Sequence, residues 1–266
     1  MAARASSKHV WALDFDGVAC DSVGESATSA WDAAAGLWPE LFAGDDARAK
    51  KDSVLASMRA VRPVIETGYE NLVQVRCLLE GVSVDTILED WPTLLKSKMG
   101  AWALERADLV ARFGTTRDAW MERDLEGWLG ANGMYEGVPA VLKACQSTQE
   151  AYVVTTKQAR FTAALLTDAG VPFADERIFS QTVSGRPKGE VLSMLAGRHP
   201  GAAGYHFVED KLSTLEAVAK DAGLAEWRLY LVDWGYNTPA ERARASASSR
   251  IQVMSVADLA AAVAGG

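Results

Sequence analysis

Along the chain, short β-branched and aromatic runs recur at 9–14 (HVWALD), 150–155 (EAYVVT), 176–180 (ERIFS), 203–208 (AGYHFV), 228–232 (RLYLV) and 250–254 (RIQVM). Several are apolar at successive positions rather than alternate ones, the pattern of parallel strands covered on both faces. Helix-length segments separate the later runs, at 139–148, 158–169, 188–197, 211–222, 238–247 and 255–264. Strand alternating with helix predicts an α/β fold: a doubly wound, mostly parallel sheet with right-handed crossovers.

Residues 23 to 134 break this rhythm. They carry amphipathic helical patterns such as DDARAKKDSVLASMRAV and ENLVQVRCLLEG, with no convincing strand. The pattern predicts an all-helical domain at 23–134, inserted after the first strand of a core formed by 1–22 and 135–266. Trp31, Trp38, Trp91, Trp102, Trp120 and Trp128 fall inside it, as filling for a small helical core or lining for a ligand pocket. Glycine-rich GWLGANGMYEG, 127–137, supplies the return hinge.

Composition narrows the function classes. A net charge of −8 over 266 residues argues against a nucleic-acid partner, because phosphate backbones are bound by clustered Lys and Arg. The longest apolar stretches fall far short of the ~18 residues of a membrane span, and no secretory signal pattern opens the chain. Cys20, Cys77 and Cys145 make neither a disulfide framework nor a zinc ligand set, which suggests a reducing compartment. Serine-elbow, Walker-type and GxGxxG loops are absent from the sequence.

Ligands of open parallel sheets bind beyond the carboxyl ends of the strands. Asp14 stands at the first such end, with Asp16 two residues on. Two carboxylates this close repel unless a cation or shared proton compensates them, and Mg²⁺ is the usual cation where phosphate is also present. Three more strand ends match: Thr155 and Thr156 after AYVV, Lys188 in SGRPKGE, and Glu209 with Asp210 after YHFV. Asp21 and Ser22 are expected to cap the helix entering the insertion. His206 is expected in the core, with His9 and His199 peripheral.

In that order, DFDGVACDS, VVTTK, GRPKGE and FVEDKLSTLEAV resemble the four motifs of the haloacid dehalogenase superfamily, across the sheet-forming half of the chain. The helical insertion is similar to the cap of the phosphoglycolate phosphatase and β-phosphoglucomutase branch. The cap's sequence and DWGYNTPAERA, 233–243, resemble uncharacterised plant and algal members, which suggests the cytoplasm or the chloroplast stroma.

The resemblance implies a Rossmann-like core and a Mg²⁺-dependent phosphatase acting on a small phosphorylated metabolite. Asp14 would attack phosphorus to form an aspartyl-phosphate, and Asp16 would act as general acid and then base. The carboxylates of Asp14 and Asp210, the backbone carbonyl of Asp16 and, directly or through water, Glu209 would hold Mg²⁺. Lys188 would neutralise the crowded centre, and Thr155, with Thr156 competing for the role, would fix the transferring group. In the cap, Arg59, Arg62 and Tyr69, near a helix break at Pro63, are candidate substrate-binding residues. Members that break carbon–halogen bonds lack the acid at position 16, which favours phosphoryl transfer. The second acid common in the fourth motif is replaced here by Thr214 and Leu215. The alternatives are a phosphomutase and a non-catalytic pseudophosphatase.

Overall fold

The computed structural model describes residues 8–265, so residues 1–7 of the expected core lie outside it. It divides into two compact units, one running to Asp21 and resuming at Met134, the other Ser22–Gly133.

The first unit is built on strands β1 (Val10–Leu13), β4 (Glu150–Thr155), β5 (Ile178–Ser180), β6 (Tyr205–Glu209), β7 (Trp227–Val232) and β8 (Ile251–Met254). Two-residue strands β2 (Cys20–Asp21) and β3 (Gly133–Met134) lie outside this sheet. The order is β5-β4-β1-β6-β7-β8 and all five pairings are parallel. With β1 central, its end and those of β4 and β6 are neighbours, and that adjacency positions the site. Every residue of β1 and β6 is buried, which is why their apolar runs do not alternate. One face of the sheet packs Val10, Ala12, Phe207, Leu229 and Leu231 against Leu192, Leu195 and Leu215 from the helices.

Helix starts follow local chemistry. Thr238 and Glu241 form a capping box ahead of helix Pro239–Ser246, with proline at its first position. Ser22, by contrast, stands at the N-cap of helix Val23–Leu37 without a side-chain capping bond, so the expected capping role fails there. Asp21 instead accepts a hydrogen bond from the Tyr236 hydroxyl at 2.8 Å.

His206 is a core residue, as its place in a strand suggested. Trp11 stacks on it at 4.0 Å, its Nε2 meets His9 Nδ1 at 2.8 Å, and its Nδ1 meets the Tyr230 hydroxyl at 3.0 Å. Burial, reinforced by His9 and Arg228, pushes its pKa down to about 3. The folded state therefore binds fewer protons than the unfolded chain below the ordinary value of 6.5, and this site erodes stability as pH falls from there toward 3. We expect the His206 ring resonance in an NMR titration to hold still down to about pH 4. Protonation between pH 6 and 7 would contradict the packing.

The second unit is helical: Val23–Leu37, Pro39–Phe42, Asp45–Val61, Glu70–Leu79, Val84–Glu89, Trp91–Ala101, Arg106–Arg123 and Leu125–Gly130. Pro63 stops the third helix, which passes into a 3₁₀ turn at Arg62–Val64. Trp31 and Trp91 are buried in its core with Phe42, Met58, Leu72 and Phe113. Trp38 and Trp102 pack at that core's edge and hold the Arg76 guanidinium at 4.6 and 3.9 Å from their rings. Elsewhere in the unit the carboxylate of Glu25, wholly buried, meets Arg117 in a two-pronged ion pair, both contacts 2.7 Å. Among the described residues no helix is long and apolar enough to cross a membrane.

Candidate active site

The carboxyl ends of β1 and β6 and the start of helix Lys188–Arg198 converge. Asp14 directly follows β1 and is anchored by its backbone N–H to Val208 at 2.9 Å. Glu209 ends β6 and Asp210 follows it. Lys188 is the first residue of helix Lys188–Arg198, where the chain emerges from Pro187. Its Nζ lies 3.0 Å from Asp14 Oδ1 and 2.6 Å from Glu209 Oε2. Asp14, Glu209 and Asp210 each offer a carboxylate oxygen within 4.8 Å of the others, and all three are buried.

Such a cluster is electrostatically crowded. Burial, with Glu209 and Asp16 adding to it against the pull of Lys188, raises the Asp14 pKa from its ordinary value to about 7. Burial and Asp210 raise Glu209 likewise to about 7, while Lys188 opposes. Lys188 is itself raised, because Asp14 and Glu209 outweigh its desolvation. Three buried carboxylates with one buried lysine among them make an all-oxygen donor set with excess negative charge, which fits a hard divalent cation such as Mg²⁺.

Glycine makes the close approach possible. Gly17 has φ +86°, and a Cβ there would lie 2.1 Å from Asp210 Oδ2. Glu209 is more committed than a simple ligand would be. Its Oε1 accepts the backbone N–H groups of Asp210 and Lys211, both at 3.0 Å, and its Oε2 takes the Lys188 ammonium. Leu215 is buried in the sheet-facing core and Thr214 is half-buried, so neither stands in for a further acid.

Asp16 is half-buried, and Lys157 Nζ donates to its Oδ1 at 3.2 Å. Lys157, 5 % exposed, was not singled out from the sequence. The available signal was a lysine two residues past a strand end, where a buried base has use only if an acid faces it. Thr155 is the buried last residue of β4 and its Oγ1 accepts the Lys157 backbone N–H at 3.1 Å. Thr156 is half-buried, and its carbonyl accepts the Thr182 hydroxyl.

Arg59, Arg62 and Tyr69 belong to the helical unit. Arg59 is exposed on helix Asp45–Val61. Arg62 is buried and donates to the Ile65 carbonyl at 3.5 Å. Tyr69 is half-buried, with the Arg106 guanidinium 5.5 Å from its ring centre.

Solved structures share this architecture. A predicted phosphoglycolate phosphatase from Haemophilus somnus is 16 % identical, with 97 % of this chain and 98 % of that one covered and a TM-score of 0.57. A haloacid dehalogenase-like family hydrolase from Streptococcus pneumoniae is 12 % identical over 96 % and 97 % of the two chains, with a TM-score of 0.55. This chain has the haloacid dehalogenase-like fold. A predicted phosphatase from Clostridium acetobutylicum carries the same fold at 14 % identity, 98 % and 100 % coverage and a TM-score of 0.54. No family model matches the sequence, and no curated protein does. Open parallel sheets bind ligands beyond the carboxyl ends of their strands, and at that edge of this sheet Asp14, Glu209 and Asp210 gather with Lys188.

Proposed function

We propose that this protein is a Mg²⁺-dependent phosphatase of a small phosphorylated metabolite. The observation that carries the reading is the junction of Asp14, Lys188, Glu209 and Asp210 at neighbouring strand ends, with Asp16 and Thr155 at the same edge of the sheet. The phosphatase descriptions of two structures of this fold support it.

In this reading Asp14 and Asp210, with the Asp16 carbonyl, would hold the cation, which when bound cancels charge on the phosphoryl oxygens. An Asp14 oxygen attacks phosphorus, the bond to the substrate oxygen breaks, and Asp16 supplies that oxygen with a proton. Water then attacks the aspartyl-phosphate and gives its proton back to Asp16, releasing phosphate and restoring Asp14. Lys188, held against Glu209, keeps a positive charge beside the nucleophile through both steps. Lys157 fixes the Asp16 carboxylate, and the Thr155 hydroxyl serves the transferring group. Glu209 acts chiefly by holding Lys188. The helical unit is the natural source of substrate selection, with Arg59, Arg62 and Tyr69 as its candidates.

The deciding experiment is release of phosphate from p-nitrophenyl phosphate and from a panel of phosphorylated metabolites, with Mg²⁺ and with a chelator. Phosphate release that survives chelation undisturbed would refute the proposal, and an isomerised sugar phosphate without free phosphate would indicate a mutase.

A pH-linked consequence follows from the crowding. Asp14 and Glu209 have ordinary values of 3.8 and 4.5, each raised in the fold to about 7. Between those limits the folded state binds more protons than the unfolded chain, so this cluster lowers stability as pH rises through the window. A cation takes the place of those protons. Mg²⁺ should therefore raise the melting temperature more at pH 8 than at pH 5, as scanning fluorimetry would read. Equal shifts at both pH values would show that the cluster is not where Mg²⁺ binds.

A further inference from the structure

The stretch DWGYN, 233–237, follows β7 and has no part in the chemistry above, yet it closes around Asp210. The Tyr236 backbone N–H donates to Asp210 Oδ2 at 3.0 Å, and Asn237 Nδ2 donates to the carbonyls of Asp210 and Val232, both at 2.9 Å. Arg242 donates to Asn237 Oδ1 at 2.8 Å and thereby sets which way the amide faces. A Cβ on Gly235 would lie 2.5 Å from Asp210 Cβ and 2.5 Å from the Gly17 carbonyl, so the loop backbone lies directly against the site. The same loop reaches the segment after the nucleophile: Trp234 Nε1 donates to the Val18 carbonyl at 3.0 Å, and the Tyr236 hydroxyl to Asp21 Oδ1 at 2.8 Å.

We propose that Trp234–Asn237 is a positioning loop that orients Asp210 toward the cation and, through Tyr236, ties that orientation to Asp21, the last core residue before the helical unit. A carboxylate with one oxygen held by a fixed backbone N–H cannot turn freely about its Cβ–Cγ bond, so its other oxygen is presented in one direction. Asn237 fixes the backbone on which that carboxylate stands. Because one tyrosine grips Asp210 by its backbone and Asp21 by its hydroxyl, occupancy of the cation site and the setting of the 17–21 segment are coupled. The inference rests on reading Asp14 and Asp210 as cation ligands.

The test titrates the full chain with MgCl₂ alone by calorimetry and follows hydrogen exchange at 17–21 with and without Mg²⁺. Asn237→Ala should weaken Mg²⁺ binding about tenfold, the usual cost of losing a partner that orients a ligand. Tyr236→Phe keeps the backbone donor, so its affinity should fall less than that of Asn237→Ala, the remaining loss reporting the coupling to 17–21. In wild type Mg²⁺ should slow exchange at 17–21, and in Tyr236→Phe that slowing should disappear. If Asn237→Ala fails to fold by near-UV circular dichroism, Arg242→Leu carries the same arm, with weaker Mg²⁺ binding expected. Wild-type affinity in a folded Asn237→Ala or Arg242→Leu protein, or unchanged slowing in Tyr236→Phe, would overturn the loop's role while the phosphatase reading stood. Wild-type protein that takes up no Mg²⁺ would overturn both.

Discussion

Asp14→Asn should abolish phosphate release, with turnover reduced on the order of 10⁴-fold or more, the scale on which removal of a covalent nucleophile is felt. The amide is nearly isosteric, so the buried site beside Val208 and Lys188 can accept it. What it lacks is the charge and the nucleophilic oxygen. The substitution also relieves the crowding that pushes Asp14 and Glu209 up to about 7, so the variant should be at least as stable as wild type without Mg²⁺ above pH 7. Lost activity together with retained or increased melting temperature separates a chemical role from a folding defect. Turnover equal to wild type would remove Asp14 from the mechanism.

The second large effect concerns the helical unit. Glu25→Ala or Arg117→Ala should each destabilise that unit by about 3–5 kcal/mol, because either change strands a buried charge. Glu25 is fully buried and Arg117 is 7 % exposed, so water cannot replace the missing partner. The Ser29 hydroxyl also donates to Glu25 at 2.8 Å, and the Arg117 guanidinium lies 4.0 Å from the Phe113 ring centre, so the pair sits inside a packed network. Replacing both partners together, as Glu25→Leu with Arg117→Met, should cost much less than either alanine change, since no charge is left behind. Urea unfolding followed by tryptophan fluorescence is suited to this, because Trp31, Trp91 and Trp128 are buried within the unit. A loss below about 1 kcal/mol for both single variants would mean that the pair is effectively solvated.

Strand and helix placement was legible because burial on both faces leaves a mark on consecutive residues. The run EAYVVT at 150–155 coincides with Glu150–Thr155, and the helix expected at 188–197 spans Lys188–Arg198. The reactive cluster was legible for a related reason: polar residues directly after buried parallel strands must gather at one edge of the sheet, whatever lies between them in sequence. By that logic Asp14, Thr155, Lys188 and Asp210 share the carboxyl edge of the sheet.

It stops at pairing. Ser22 has the right residue type for an N-cap but makes no capping bond, since a cap depends on backbone angles that a side-chain identity does not specify. Glu209 belongs to the acidic cluster as its strand-end position implied, but only the fold shows that its two oxygens also meet Lys188 and two backbone N–H groups.

The sequence by itself determined the alternation of strand and helix, the helical insertion, and which strand ends carry acids and a base, because these are written in local periodicity and punctuation. Only the tertiary structure decided that Lys157 meets Asp16 across 141 positions, Arg117 meets Glu25 across 92, and Tyr236 meets Asp21 across 215. Those pairings follow from strand order and loop path, and a side chain's identity holds no information about which distant partner the fold will bring within 3 Å or so of it.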